Sequence, residues 1–202
     1  MHPLAQKMDK IDFARSLKEL YGTNRQIREV FAGPGTFLGV DGKGEPGGED
    51  YRQAIGWLYP VAYTLKFSLK NAGVLDFAVG KMECLWYDDP AEVPMPEWRW
   101  RILIRVPDEV GEEEVKRAQE EIRERKGIDT SSVTLTWWEE GRCLQVLHVG
   151  PYDQEQATYE SLMDRARELS LALKGPAHEI YLSDPRRVAP EKLRTIIRMP
   201  IA

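Results

Sequence analysis

Two stretches of this 202-residue chain run through the same order of elements: a pair of strands, a glycine, a helix, a strand carrying an acid, an Asp-Pro step, and a last strand closed by proline. The endings are Ile104-Arg105-Val106-Pro107 and Ile197-Arg198-Met199-Pro200, and the Asp-Pro steps are Asp89-Pro90 and Asp184-Pro185. Each step follows an acid in an apolar run, Glu83 in the first half and Glu179 in the second. Several matches in one order point to a duplicated module, and such modules join through their sheets about a pseudo-twofold axis. The expected fold is α+β: duplicated β-α-β-β modules with antiparallel sheets and helices packed on one side. A single domain over 1–202 would then hold an N-terminal helical arm (1–22), a first repeat (23–107), a connector helix (108–127) and a second repeat (128–202).

Local patterns give the elements. Phe13, Leu17, Leu20 and Tyr21 recur at helical spacing before Gly22, which predicts an amphipathic helix over 10–21. From Glu49 to Asn71, Tyr51, Ile55, Leu58, Ala62, Leu65 and Leu69 predict a long amphipathic helix with Pro60 inside it. The aromatics Trp57 and Tyr59 near that proline belong to its core face or to a pocket wall. Trp98, Trp100, Ile102, Ile104 and Val106 alternate with Arg99, Arg101 and Arg105, the pattern of a strand with solvated arginines on one side. Strands are also expected over 132–138, 142–149, 178–183 and 193–199. A helix after Gly150-Pro151-Tyr152-Asp153 is expected to bury Tyr159, Leu162, Met163, Ala166, Leu169 and Leu173. The glycine-rich run Asp41 to Gly48 lacks the Gly-Lys-Ser/Thr ending of a phosphate cradle and reads as a loop.

Charge and cysteine content exclude some functions. With 33 acidic against 28 basic residues the net charge is −5, which argues against a nucleic-acid partner. No apolar run reaches the roughly 18 to 20 residues needed to cross a bilayer. The first eight residues lack the order of a signal peptide, so a cytoplasmic location is expected. Cys84 and Cys143 stand far apart in apolar runs and read as buried thiols, with neither a metal site nor a cofactor expected. Nothing in the sequence sets an oligomeric state.

The stretch His178-Glu179-Ile180-Tyr181-Leu182-Ser183-Asp184-Pro185 carries the strongest chemical signal. The two-residue period of a strand puts Glu179 on the same side as Tyr181 and opposite His178. A carboxylate in an apolar strand must be hydrogen-bonded, protonated or matched by a cation. A seam between the repeats is the natural ligand cleft, and Trp86, Trp98, Trp100, Trp137, Trp138, Tyr152 and Tyr181 offer the aromatic lining such clefts have.

His148-Val149-Gly150-Pro151-Tyr152-Asp153 before a helix, the stretch from His178 to Pro185, the Ile-Arg-Met-Pro ending, and Phe37 to Pro46 together resemble the GyrI-like small-molecule-binding family. The likeness covers nearly the whole chain. That family includes gyrase-inhibitory proteins and the effector domains of multidrug-sensing regulators, and the resemblance here is to its free-standing form, with the SOUL/GyrI-like fold. It implies a pocket for flat aromatic, often cationic or amphipathic compounds, with Glu179 as the acid at its floor. Charge and ring quadrupoles would both attract such a cation.

One free-standing branch resembles cyclopropanoid cyclopropyl hydrolases, which add water to a strained ring in DNA-alkylating compounds. Their glutamate pair would fall on Glu155 and Glu179, making both candidate catalytic residues. Read from its position alone, Glu155 is equally an acid in the first helical turn, stabilised by the helix dipole or by capping. The functions expected are thus multidrug binding and detoxification, hydrolysis of reactive planar compounds, or, from the family resemblance alone, inhibition of gyrase as a protein partner.

Overall fold

The structure, a computed structural model, describes residues 9–202; residues 1–8, where the sequence was read for a leader, lie outside the described residues. The arm holds β1 (Lys10–Ile11), α1 (Phe13–Ser16) and α2 (Lys18–Tyr21), after which β2 (Arg28–Ala32) and β3 (Gly35–Lys43) precede α3 (Glu49–Asn71). Next come β4 (Asp76–Phe77), β5 (Met82–Trp86), β6 (Arg99–Val106), α4 (Glu112–Lys126), β7 (Thr134–Trp138) and β8 (Gly141–Val149). The last elements are α5 (Gln156–Glu168), β9 (Ala177–Tyr181) and β10 (Arg194–Pro200).

An α+β fold results, built on an eight-stranded sheet in the order β2-β8-β10-β9-β5-β6-β3-β7, in which every neighbouring pair is antiparallel. At its centre β5 meets β9, with Cys84 opposite Glu179 and Leu85 opposite His178. Residues directly opposite in an antiparallel pair share a face. Glu179 therefore shares its face with Cys84, and Glu83 lies on the other face with His178. The expectation that Glu83 is the counterpart of Glu179 is corrected by this register.

The three long helices cover the Glu179 face. From α3, Tyr51, Leu58 and Leu65 pack on Leu38, Val40, Ile102 and Ile104, with Val115 and Ile122 of α4 extending the same core. Leu162 and Ala166 of α5 pack on Leu144, Val146 and Ile197. Leu58, Ile102, Ile104 and Leu162 are fully buried, and each contributes about 1.5–3 kcal/mol relative to exposure. Glu49 and Asp50 in the first turn of α3 and Lys70 in its last complement the helix dipole, and the helix runs unbroken through Pro60. Across the sheet, Leu20 and Tyr21 of the arm pack on Val30, Cys143, Ile180 and Ile196.

Three expectations need correction. The arm is not one helix: residue 10–11 backbone pairs with β4 instead, and two short helical turns join at Leu17, whose φ of −110° and ψ of 55° are not helical. α5 stops at Glu168 rather than continuing to Leu173. Ser170 takes a positive φ of 55°, which lets Leu171 and Leu173 fold back onto the Leu144 and Ile197 cluster. Finally, β6 lies inside the sheet rather than at its edge, and of its arginines Arg99 is solvated as expected, Arg101 is partly covered and Arg105 is not solvated. Arg101 and Arg99 pair with Asp41 and Asp88, and Arg105 is buried between the rings of Phe13 and Phe37.

The glycine-rich run serves packing. The indole of Trp100 lies over Gly42, where a Cβ would come within 2.1 Å of it, and Trp100 Nε1 donates to the Gly44 carbonyl at 3.1 Å.

Candidate functional site

Glu179 is 7% exposed, and its carboxylate accepts two phenolic hydrogen bonds. Tyr159 Oη donates to Oε1 at 2.6 Å, and Tyr181 Oη to Oε2 at 2.6 Å. Tyr51 Oη lies 3.4 Å from Tyr181 Oη and extends the chain to α3. All three phenols stay protonated far beyond neutral pH, since burial pushes their pKa values well up and the Glu179 charge adds to the rise. Glu179 is therefore supported as an acceptor from two sides, at bond lengths characteristic of charge-assisted pairs.

Glu155 reaches the same place by a different route. Gly150, with φ of +148°, turns the chain out of β8, and a single 3₁₀ turn from Tyr152 to Gln154 sets Glu155 at the N-cap of α5. Glu155 makes no side-chain cap bond and is 7% exposed, so its carboxyl is buried instead of capping its helix. Its Oε1 has no hydrogen-bond partner. Burial and the neighbouring Glu179 charge push its pKa up to about 8, while the hydroxyl of Thr195 opposes the rise. Two carboxyl groups share one site. Their environments differ: phenols hold Glu179, while burial and the neighbouring charge favour the protonated form of Glu155.

An aromatic wall adjoins the pair. Tyr152, 40% exposed, meets Tyr181 edge-on at 5.8 Å. Tyr51 stacks on Trp86 at 5.8 Å and 7°, and Trp86 meets Trp98 edge-on at 5.9 Å. Trp100 is buried and touches the edge of Tyr51. Of the aromatic residues named from sequence, Tyr152 and Tyr181 form one ring contact and Trp86, Trp98 and Trp100 gather around Tyr51 in another group, the two being joined through the Tyr51 and Tyr181 hydroxyls. Trp57 and Tyr59 lie on the same side, half-buried against the α3 core. Trp137 and Trp138 are not brought to Glu179: they sit on β7, the edge strand separated from β9 by three others. Trp137 is 62% exposed, and Trp138 packs on Phe37, Leu85 and Leu103 across the sheet. A cleft of about 770 Å³ runs beside the site, lined by Arg25, His148, Asp153 and Thr158 among others, but by neither carboxyl group.

Behind the site, on the other face of β9, His178 is 1% exposed, with Nε2 3.0 Å from Glu83 Oε2 and Nδ1 2.9 Å from Glu140 Oε2. Arg198 donates to Glu140 Oε2 at 2.6 Å, to Gln145 Oε1 at 2.8 Å and to the Leu20 carbonyl at 3.0 Å. Tyr21 Oη donates to Glu83 Oε1 at 2.7 Å. Burial would lower the His178 pKa, but Glu140 and Glu83 outweigh it and raise it to about 9. Burial likewise works against ionised Glu140, yet His178 and Arg198 bring its pKa down to about 2.

With the fold and the acid pair described, relatives can be compared. Residues 25–202 match the family described as the GyrI-like small molecule binding domain. The chain belongs to the GyrI-like family. Among solved structures, this GyrI-like chain is similar to an uncharacterized conserved protein from Listeria innocua, at 39% identity and a TM-score of 0.90, covering 96% of this chain and 100% of that one. A hydrolase from Listeria innocua is 39% identical with a TM-score of 0.87, over the same shares of both chains. The EcmrR C-terminal domain is similar in fold alone, at 14% identity and a TM-score of 0.58, covering 88% of this chain and 97% of that one. No curated protein matches. Among the described residues no helix is long and apolar enough to cross a membrane.

Sequence reasoning missed Tyr159, Tyr51 and Thr195. Tyr51 and Tyr159 read as core positions of amphipathic helices, and they do face the core. Tyr159 stands one helical turn beyond Glu155, a spacing that puts both on one side of α5 and was a usable signal.

Proposed function

We propose that this GyrI-like protein is a small-molecule hydrolase that adds water to reactive planar compounds, cyclopropane-bearing ones included, at the Glu155 and Glu179 pair. The observation that carries the reading is the unequal surroundings of two neighbouring buried carboxyl groups: Glu179 accepts from two phenols, whereas Oε1 of Glu155 has no partner among the described residues and burial raises its pKa to about 8. Two carboxyl groups in unlike surroundings are a usual basis of an acid and base assignment. The hydrolase from Listeria innocua, 39% identical, supports the same direction.

In the proposed reaction Glu179 takes a proton from water as the water oxygen bonds to a ring carbon. The strained carbon–carbon bond breaks, and its electron pair moves into the conjugated acceptor of the substrate. Glu155 gives its proton to that acceptor. The product has gained one water, and a proton passing from Glu179 to Glu155 restores the pair. Tyr152, Tyr181, Tyr51, Trp86 and Trp98 hold the planar substrate by stacking, worth about 0.5–1.5 kcal/mol per ring pair beyond area burial.

Mass spectrometry of a planar arene bearing an activated cyclopropane tests the reading. Native protein is expected to convert it to a product heavier by one water. Glu155→Gln and Glu179→Gln should each slow conversion by about 10²–10⁴-fold, the range for a lost general acid or base. Binding of the compound, read by tryptophan quenching, without product would leave a small-molecule-binding domain and remove the hydrolytic reading. A panel of cationic dyes serves the narrower binding expectation: if Glu179→Gln binds them as tightly as native protein, charge recognition plays no part.

A further inference from the structure

Thr195 lies on β10, opposite Tyr181 on one side and His148 on the other. All three therefore share the face of Glu179. Thr195 is fully buried, yet among the described residues neither its hydroxyl nor Oε1 of Glu155 has a well-formed hydrogen bond, although the hydroxyl is close enough to act on the Glu155 carboxyl. Two adjacent buried polar atoms without partners are uncommon, because each forfeits about 1–3 kcal/mol of hydrogen bonding. Valine would fill the same space in a strand at no such cost. A threonine here therefore calls for a partner, and the Glu155 carboxyl is the one within its reach. Hydrogen bonds in a catalytic site are often poorly aligned without substrate and tighten when it binds.

We infer that Thr195 is a positioning residue, whose hydroxyl turns the Glu155 carboxyl so that its acidic proton points at the substrate held against Tyr181. The inference rests on the hydrolytic reading of the Glu155 and Glu179 pair. Thr195 touches no reacting atom and acts through Glu155. The other titratable groups acting on Glu155 are Glu179 on β9, Tyr159 on α5 and Tyr152 in the preceding turn, with Tyr181 and His148 beside Thr195 on the neighbouring strands. His148 is already engaged, with Nδ1 2.8 Å from Thr158 Oγ1 and Nε2 3.2 Å from the Pro151 carbonyl. Thr195 is thus the neutral donor beside Glu155 that lacks a competing partner.

The test compares Thr195→Val, which keeps the shape, with Thr195→Ser, which keeps the hydroxyl. Turnover of the cyclopropane-bearing arene is measured against pH, and the Glu155 carboxyl is followed by carbon NMR in glutamate-labelled protein without substrate. Thr195→Val is expected to lower kcat by up to about 10²-fold, the loss typical of a misplaced catalytic group, with KM little changed. Its Glu155 signal should titrate at higher pH than in native protein, since the hydroxyl that favours the ionised form is gone. Because Glu155 acts as the protonated acid, the alkaline limb of the rate profile should move up with it. Thr195→Ser should restore both. A Thr195→Val protein with native kcat and an unmoved Glu155 titration overturns the inference. Loss of turnover in Glu155→Gln without loss in Thr195→Val rejects Thr195 alone, whereas native turnover in Glu155→Gln rejects the hydrolytic reading beneath it.

Discussion

The two faces of β9 treat buried acids in opposite ways. On the rear face Glu83 and Glu140 are matched by His178 and Arg198, with Tyr21 and Gln145 completing the network. Two negative and two positive groups offset one another there. On the front face, among the described residues, Glu155 and Glu179 have no cation, only phenols on one and the Thr195 hydroxyl acting on the other. A buried charge without its opposite is expensive, and the proposed function gives a reason for the fold to carry this pair. The rear network ties the arm to the sheet; the front pair is where the proposed reaction would move protons. His178 and Glu179, adjacent in sequence, belong to these different tasks because a strand alternates its faces.

The comparison can be broken most forcefully from behind. Arg198→Met removes the cation that holds Glu140, Gln145 and the Leu20 carbonyl, and should destabilise the protein by about 3–5 kcal/mol. Urea unfolding measures this. A loss below about 1 kcal/mol, within the range of an exposed pair, would show the rear network to be far weaker than its geometry suggests.

A smaller, graded effect comes from pH. His178 has its folded pKa raised from 6.5 to about 9, so the stability it contributes is complete below 6.5 and declines as pH rises toward about 9. Glu140 is lowered from 4.5 to about 2, so its contribution is complete above 4.5 and lost as pH falls toward about 2. Unfolding free energy should therefore be greatest between these windows, near pH 5 to 6, as far as these two groups set it. Substituting His178 by Gln should flatten the alkaline decline, and an unchanged slope there would assign it to other groups.

Much of this arrangement was legible in the sequence, and what was not has physical reasons. The alternation around Glu179 placed it with Tyr181 and away from His178, because period two is unambiguous in an apolar strand. The spacing from Tyr51 to Leu69 marked α3 because it is long and regular. What the sequence could not give was which strands become neighbours. The β5–β9 register pairs Glu179 with Cys84 and sends Glu83 to the rear, a one-residue difference that flips a side chain to the other face. Likewise Trp137 and Trp138 have the composition of a pocket wall, but sheet order puts β7 at the edge. The early end of α5 was not legible, since serine seldom adopts the positive φ that Ser170 takes there.

The central claim, that the front acids do chemistry and the rear ones hold structure, is tested most directly by measuring turnover per folded molecule for Glu179→Gln and Glu140→Gln side by side. The account predicts that Glu179→Gln keeps near-native stability and loses about 10²–10⁴-fold in turnover, while Glu140→Gln is less stable yet turns over at the native rate per folded molecule. Native turnover in Glu179→Gln, or an equal loss of turnover per folded molecule in both, would contradict it.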